Sequence, residues 1–385
     1  MQTLFWASLI LIVYAYLGYG LLMAVLAQTG RTRPVTDLAD ADLPTVTVVV
    51  PAYNELTALP AKLANCRALD YPRHRLKLLF VTDGSTDGSD GFLRAQPDVT
   101  VLHDPRRLGK PAAMNRAMQT VDTPITVFTD ANTLVNRESL RRLVRHFADP
   151  RVGCVAGEKR VHADDQAAAG AGESLYWRYE STVKRWESAV GNVMGAAGEL
   201  VAMRSDLYTP LPPDTLIDDF VLSFRIAMAG YRLAYEPDAY GGETASVSVG
   251  EEWKRKRRIA AGGIQSILRL VPLLNPLRYG LLSFQYLSHR VLRWTLVPLL
   301  LALLIPLNAW LAWRIGGVYT WLAAGQTVFY AAAWLGWRLE TRSVRQKLLY
   351  VPYYFTMMNL AVFAGAWRYG RGRQSVLWEK AHRGA

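Results

Sequence analysis

The sequence predicts an α/β domain with a mainly parallel sheet, held between membrane-spanning helices. Short apolar runs rich in β-branched residues alternate with helical patterns between residues 45 and 157. This alternation is typical of βαβ units, which produce parallel strands. Stretches without charged residues flank that region, at residues 1–30 and again after residue 293. A helix needs roughly 20 apolar residues to cross a bilayer core, so these stretches are long enough to span it.

The predicted strands are short apolar runs that end in turn or polar residues. They cover residues 45–50, 76–82, 99–103, 125–129, 152–157 and 232–236. Helical patterns cover residues 110–119, 137–147, 173–190 and 219–229. Because strand patterns and helical patterns alternate along the chain, each strand is expected to be joined to the next strand of the same sheet through a crossover helix.

Charge-free segments divide the rest of the chain. We interpret residues 1–30 as a retained anchor, because they lack the basic start and the cleavage site of a signal peptide. Basic and apolar residues alternate in residues 251–293, which is typical of interfacial helices. The predicted domains are a transmembrane helix (1–30), a cytosolic domain (31–250), amphipathic interfacial helices with a basic motif (251–293), about three transmembrane helices (294–370) and a basic tail (371–385).

The net charge of +12 comes largely from lysines and arginines beside the hydrophobic spans. This placement is typical of cytosolic membrane flanks that contact anionic lipid, and it argues against nucleic-acid binding. With Arg31 and Arg33 inside, three C-terminal crossings would put the basic tail outside. Either the last segment is re-entrant, then, or one of the proline-containing segments does not span. The two cysteines, Cys66 and Cys154, are too few for a disulfide framework.

Polar residues follow the predicted strands, where an open α/β sheet binds its ligands. Asp83 begins a Gly/Ser-rich turn after residues 76–82, and Asp130-Ala131-Asn132 follows residues 125–129. Hard oxygen ligands at the latter position would hold Mg²⁺ or Mn²⁺ against a diphosphate, although Asp-x-Asn also serves as a simple helix cap. The chain has neither a Walker A nor a GxGxxG pattern, which argues against a P-loop NTPase or a dinucleotide enzyme.

Two charged segments lie further along the chain. Asp218 and Asp219 begin a predicted helix, where they would act as a general base or simply complement the helix dipole. The basic run at residues 254–258 would clamp a diphosphate or contact lipid headgroups.

Taken in order, these segments resemble a known enzyme family. They are residues 48–55 (VVVPAYNE), 81–89 (VTDGSTDGS), 109–115 (GKPAAMN), 128–133 (FTDANT), 218–219 (DD) and 254–258 (KRKRR). The chain resembles the membrane-embedded branch of the family 2 inverting glycosyltransferases, which includes cellulose, hyaluronan, poly-N-acetylglucosamine and chitin-oligosaccharide synthases. The resemblance covers residues 1–280, and the later helices share only the general layout. It implies a GT-A nucleotide-diphospho-sugar transferase domain facing the cytosol, in a multi-pass protein of the bacterial inner membrane.

The resemblance also implies roles for particular residues. The donor nucleotide would be bound by Pro51, Ala52, Tyr53, Glu55, Asp83, Lys110, Asn115 and Asp130. The cation, Mg²⁺ or Mn²⁺, would be held by Asp130 and Asn132. Asp219 would be the catalytic base, with Asp218 beside it, and the acceptor would lie on Gly195, Gly198 and Glu199. Arg255 and Arg258 would bind the diphosphate.

By this resemblance, the reaction would move sugar from a UDP-sugar to a glycan or lipid-linked acceptor and form a β-linkage in exopolysaccharide or cell-surface glycan. Asn132 stands where the family has a carboxylate, and Ile259 where the synthases have Trp, so single addition is as well supported as polymerisation. One alternative is a monosaccharide transferase acting on a polyprenyl phosphate or glycolipid. Another is an inactive nucleotide-sugar-binding subunit. Secretion or synthase subunits are the expected protein partners.

Overall fold

The structure is a computed structural model that describes residues 1–29, 35–162, 168–244, 249–340 and 347–377. Arg31, Arg33 and the part of the predicted basic tail beyond residue 377 lie outside the described residues.

One eight-stranded sheet forms the centre of the α/β domain, in the order β3-β2-β1-β4-β7-β6-β8-β5. Its strands are β1 (Val46–Ala52), β2 (Leu76–Asp83), β3 (Thr100–Asp104), β4 (Ile125–Phe128), β5 (Leu134–Val135), β6 (Val152–His162), β7 (Val201–Arg204) and β8 (Arg232–Thr244). The predicted α/β fold is confirmed, and all six predicted strands form. The short strands β5 and β7 were not predicted, and β6 and β8 continue well beyond their predicted ends.

Helices flank the sheet, and further helices precede and follow it in the chain. They are α1 (Gln2–Val13), α2 (Tyr19–Thr29), α3 (Leu59–Arg67), α4 (Ser89–Arg94), α5 (Lys110–Met118), α6 (Ser139–Val144), α7 (Ala168–Val190), α8 (Asp218–Met228), α9 (Val249–Arg269), α10 (Pro276–Tyr279), α11 (Leu281–Tyr286), α12 (Leu292–Trp294), α13 (Leu296–Arg314), α14 (Val318–Glu340) and α15 (Lys347–Gly370). A π-helical turn at Tyr14–Gly18 joins α1 to α2, and a second one at Leu287–Val291 joins α11 to α12.

The direction of the strands determines which residues meet at one edge. β1 lies between β2 and β4 and is parallel to both, so the carboxyl ends of these three strands share an edge. β7 runs antiparallel to β4, which brings the amino end of β7 to that same edge. Alternate side chains of β1 fill the two cores of the domain, Val48 and Val50 on one face and Val49 on the other. A strand buried on both faces explains why β1 is apolar throughout.

Among the described residues, three helices are long and apolar enough to cross a membrane: Gln2–Thr29, Leu296–Arg314 and Leu348–Gly370. The last of them, α15, packs along α9, where the Tyr354 hydroxyl donates to Glu252 Oε1 at 3.3 Å. Near the other end of α15, a Cβ on Gly365 would lie 2.6 Å from the backbone nitrogen of Ala261. The segment after α15 then reaches the catalytic domain, where Val376 lies 3.5 Å from the position of a Cβ on Gly109.

Candidate active site

The carboxyl edge of the parallel strands brings together the residues that the sequence singled out. Asp130 follows β4, and Lys110 is the first residue of α5. Asp218 and Asp219 are the first two residues of α8. Three separate segments of the chain therefore bring charged side chains to one place, as expected for an open α/β sheet.

Lys110 is the centre of this cluster. Its Nζ lies 2.6 Å from Asp130 Oδ1 and 3.5 Å from Asp218 Oδ2. Burial by itself would lower the pKa of Lys110, but the charges of Asp130 and Asp218 outweigh it and hold the pKa above its ordinary value. The ammonium group therefore stays charged and holds two carboxylates from different elements close to each other.

Asp219 has a carboxyl group whose pKa is raised. Burial and, next, the charge of Asp218 raise the pKa of Asp219 to about 7, while Lys110 acts in the opposite direction. A Cβ placed on Gly198 would lie 3.3 Å from Asp219 Oδ2 and 3.5 Å from Lys110 Nζ. The predicted acceptor loop (residues 195–199) thus passes directly beside Asp219. A carboxyl group with a pKa near neutrality is suited to general-base chemistry.

The two predicted diphosphate-binding arginines have different surroundings. Arg258 is buried, which lowers its pKa, while the charges of Asp218, Asp130 and Asp219 act against this shift. Arg255 instead pairs with Glu252 on its own helix, with Nε 2.9 Å from Glu252 Oε2. The structure therefore brings Arg258 into the field of the aspartate cluster and directs Arg255 towards Glu252.

Two predicted nucleotide-binding residues hold loops of the domain. Asp83 Oδ2 accepts hydrogen bonds from the backbone nitrogens of Leu108 and Gly109, at 2.9 and 2.6 Å. Its Oδ1 accepts from Arg116 Nη2 at 3.1 Å. The Asn115 side chain accepts from the Tyr208 hydroxyl at 2.6 Å and donates to the Leu211 carbonyl at 2.8 Å. The two polar atoms of Asp83 and the two of Asn115 therefore form hydrogen bonds with other protein groups.

The remaining predicted donor residues line the end of β1. Pro51 and Ala52 are its last two residues, and Tyr53 follows with its ring 3.8 Å below the Arg107 guanidinium. Asn54 has a φ of +53°, a left-handed conformation that asparagine tolerates better than most residues. The backbone nitrogen of Glu55 donates to Ser89 Oγ at 3.2 Å. The sharp turn at Asn54 therefore ties the end of β1 to the segment that follows β2.

The oxygen ligands of Asp130 and Asn132 fit a hard divalent cation. Within the described ranges no group of three His, Cys, Asp or Glu side chains could hold a metal. One carboxylate oxygen and one amide oxygen from the protein are nevertheless enough for Mg²⁺ or Mn²⁺, because substrate phosphates and water usually supply the other ligands of the cation in such sites. The site is thus suited to a cation that arrives with a diphosphate.

Sequence reasoning missed two lysines that support this site. Lys62 is fully buried and donates to Thr129 Oγ1 at 2.9 Å and to the Thr133 carbonyl at 2.6 Å, one on each side of Asp130-Ala131-Asn132. Lys159, also buried, forms an ion pair with Glu199 of the predicted acceptor loop. Lys62 lies on the apolar face of α3, so the sequence alone could have identified it as a buried lysine. The partner of Lys159 depends on the tertiary fold.

A cavity of about 540 Å³ lies elsewhere, at the opposite edge of the sheet. Its lining includes Arg151, just before β6, and Arg232, the first residue of β8. None of the predicted site residues lines it. We therefore place the candidate active site at the aspartate cluster.

The fold and the site together indicate which class of protein this chain belongs to. A mixed α/β sheet with flanking helices, and with acidic side chains gathered at the carboxyl edge of its parallel strands, is the arrangement expected of a GT-A sugar-nucleotide transferase. A model of the family described as glycosyltransferase like family 2 matches residues 44–262, and the chain belongs to this family.

Several known proteins are similar to this chain. The poly-beta-1,6-N-acetyl-D-glucosamine synthase of Staphylococcus aureus (strain COL) is 23% identical over 240 residues, covering 60% of this chain and 58% of that protein. The synthase of the same name from Staphylococcus epidermidis is 21% identical over 231 residues, covering 58% and 56%. The chain thus spans less than two thirds of the length of these relatives.

A solved structure covers far more of the chain. It is a mannosyltransferase from Pyrobaculum calidifontis in complex with GDP-Man and Mn²⁺. The two chains are 25% identical with a TM-score of 0.71, over 95% of this chain and 99% of that one. The similarity therefore includes the C-terminal helices as well as the catalytic domain.

Proposed function

We propose that this chain transfers a sugar from a UDP-sugar to a glycan or lipid-linked acceptor at the membrane, with inversion, and that it serves exopolysaccharide or cell-surface glycan synthesis. The observation that carries the proposal is the position of Asp219. Its carboxyl group has a pKa raised to about 7 by burial and Asp218, and it lies beside the acceptor loop and the Lys110–Asp130 pair. The kinship with an exopolysaccharide synthase supports the acceptor class.

In the proposed mechanism, Asp219 takes the proton from an acceptor hydroxyl as its oxygen attacks the anomeric carbon of the donor. The bond from that carbon to the diphosphate oxygen breaks, so an α-linked donor yields a β-linked product. The leaving nucleoside diphosphate gains negative charge, which Arg258 and Lys110 would stabilise electrostatically. A divalent cation bound by Asp130 and Asn132 would neutralise further charge on the diphosphate.

A second candidate differs in the donor. The solved mannosyltransferase, bound to GDP-Man, matches nearly the whole chain, which favours GDP-mannose as the competing donor. A single mannose added to a polyprenyl phosphate or glycolipid would then be the product. Donor identity and product length separate the two candidates.

The test is nucleotide release from UDP-, GDP- and TDP-sugars by detergent-purified protein with Mg²⁺ or Mn²⁺. We expect one donor class to be used, and we expect Asp219→Asn to lower transfer by ~100-fold or more while still binding nucleotide, because general-base help contributes about 10²–10⁴-fold. Asp214→Asn is the matched control, since Asp214 is exposed and pairs with Arg269 at 2.6 Å. Transfer by Asp219→Asn at the rate of the control would contradict the base assignment.

A further inference from the structure

A buried ionic cluster joins the N-terminal membrane helix to the catalytic domain, away from the aspartates of the active site. Its members come from α2, from α7 and from the helix that runs through α11 and α12. We name it the anchor cluster, and it consists of Tyr19, Glu180, Glu187, His289, Arg290 and Arg293. The ring of His289 and the carboxylate of Glu187 are completely shielded from solvent.

His289 links the two carboxylates of the anchor cluster. Its Nδ1 lies 2.5 Å from Glu187 Oε1 and its Nε2 lies 3.1 Å from Glu180 Oε2. Each ring nitrogen of His289 thus faces a carboxylate oxygen, so the imidazole connects Glu187 to Glu180. Arg293 Nη1 completes the pairing, 2.7 Å from Glu180 Oε1.

The membrane helix supplies two contacts to this cluster. The Tyr19 hydroxyl donates to Glu187 Oε1 at 2.6 Å. Four residues earlier, the Ala15 carbonyl accepts from Arg293 Nε at 2.9 Å. A displacement of this helix would therefore move Glu187 and Arg293 with it, or leave buried charges without a partner.

On its other side, the anchor cluster holds the backbone of Met194. Glu187 Oε2 accepts from the Met194 nitrogen at 3.0 Å, and Arg290 Nε donates to the Met194 carbonyl at 2.7 Å. Met194 immediately precedes Gly195, where the predicted acceptor loop begins. Gly198 of that loop lies beside Asp219, as described above. A continuous set of hydrogen bonds thus connects the membrane helix to the acceptor loop.

We propose that the anchor cluster is a positioning device through which the N-terminal membrane helix sets the acceptor loop against Asp219. This inference rests on the proposed function, because it requires residues 195–199 to contact the acceptor. Its residues position other groups and do not take part in the chemistry. The predicted donor-binding residues at the ends of β1 and β2 contact none of the cluster residues in the hydrogen bonds and ion pairs described above, so we expect donor binding to be independent of the cluster.

Tyr19→Phe tests the proposal in the full-length protein, because it removes the hydroxyl and keeps the buried ring. Tyr14→Phe is the matched control on the same helix, since the Tyr14 hydroxyl bonds to Ser288 Oγ at 2.8 Å, outside the anchor cluster.

We expect Tyr19→Phe to raise the KM for the acceptor roughly tenfold, which corresponds to the loss of a hydrogen bond to a charged group. Nucleotide affinity and donor hydrolysis without acceptor should stay within about twofold of the control. Acceptor KM values that agree between Tyr19→Phe and Tyr14→Phe would overturn the proposal, and so would an equal loss of hydrolysis and transfer.

Arg290→Lys provides a second variant, because it keeps the charge but loses the Nε contact to the Met194 carbonyl. We expect it to raise the acceptor KM in the same way. Hydrogen exchange of residues 194–199, measured without substrates, should be faster in both variants than in Tyr14→Phe. Unchanged exchange in both would overturn the proposal independently of activity. Wild-type protein that uses no donor in the panel would instead refute the proposed function itself.

Discussion

At the scale of single residues, the site is organised by neighbouring like charges. Asp218 and Asp219 are adjacent at the start of α8, and Lys110 contacts the first of them at 3.5 Å. Burial and, next, the negative charge of Asp218 favour the protonated form of Asp219, so the pKa of Asp219 moves towards neutrality.

The rate of transfer should therefore rise with pH through about 7. The base acts only as the carboxylate, and burial together with Asp218 raises the pKa of Asp219 to about 7. Asp218→Asn removes the neighbouring negative charge, so the midpoint of the rise should move to lower pH. The measurement is kcat/KM as a function of pH for both proteins. A midpoint that is the same in both would show that Asp218 does not set this pKa.

Lys62 offers a second prediction at this scale. Lys62→Met removes the donor to both Thr129 and Thr133, so the turn that carries Asp130 and Asn132 loses its support. We expect roughly tenfold more Mn²⁺ or Mg²⁺ to be needed for half-maximal activity. We also expect a loss of about 1–3 kcal/mol in stability, because the two buried hydrogen bonds of Lys62 are lost.

Lys77→Met is the control for Lys62→Met. Lys77 forms an exposed ion pair with Asp122 at 2.7 Å, and such pairs contribute about 1 kcal/mol or less. Cation titrations and melting temperatures of the two variants provide the comparison. Equal cation requirements in the two variants would contradict a supporting role for Lys62.

At the scale of elements, β7 explains how the acceptor loop reaches the site. β7 is antiparallel to β4, so its first residue, Val201, pairs with Phe128 at the carboxyl end of β4. The residues before β7 therefore lie next to those after β4, and Thr129 Oγ1 donates to the Glu199 carbonyl at 2.8 Å. The antiparallel strand β7, which lies between β4 and β6, is what places residues 195–199 beside Asp130.

Gly195 is required where this loop begins. Its φ is +102°, and an added Cβ would lie 2.8 Å from the Phe220 ring. We expect Gly195→Ala to lower the free energy of unfolding by about 1–3 kcal/mol and to reduce transfer. Gly91→Ala is the control, because Gly91 lies in α4 with nothing within 4 Å of an added Cβ. It should be neutral or stabilising by about 0.5–1 kcal/mol. Thermal unfolding in detergent compares the two variants. A Gly195→Ala protein as stable as Gly91→Ala would contradict the backbone strain expected at residue 195.

At the scale of the whole molecule, α15 relates the membrane part to the catalytic domain. It packs along α9, the helix that carries Arg258, and the following segment contacts Gly109 next to Lys110. We therefore expect residues 376 and 377 to lie on the same side of the membrane as the catalytic domain. This topology would account for a basic C-terminal region that three consecutive crossings would place outside.

Accessibility to a membrane-impermeant thiol reagent tests this topology. We expect Ser375→Cys to react from the same side of the membrane as Thr120→Cys, an exposed position of the catalytic domain. Val318→Cys, exposed at the start of α14, should react from the opposite side. Both native cysteines are buried and should remain silent. Reaction of Ser375→Cys together with Val318→Cys would instead support an odd number of C-terminal crossings.

The sequence by itself determined the features that depend on local pattern. Alternating strand and helix periods predicted the sheet, and the residues after each strand predicted the edge where the charged groups meet. Only the tertiary structure decided that Lys110 bridges Asp130 and Asp218, that Arg255 turns to Glu252, and that Lys62 lies beneath the Asp130 turn. The two-residue β5 and the four-residue β7 exist because distant strands pair with them. Such contacts join residues far apart in the chain, and no local periodicity records which partner a side chain meets after folding.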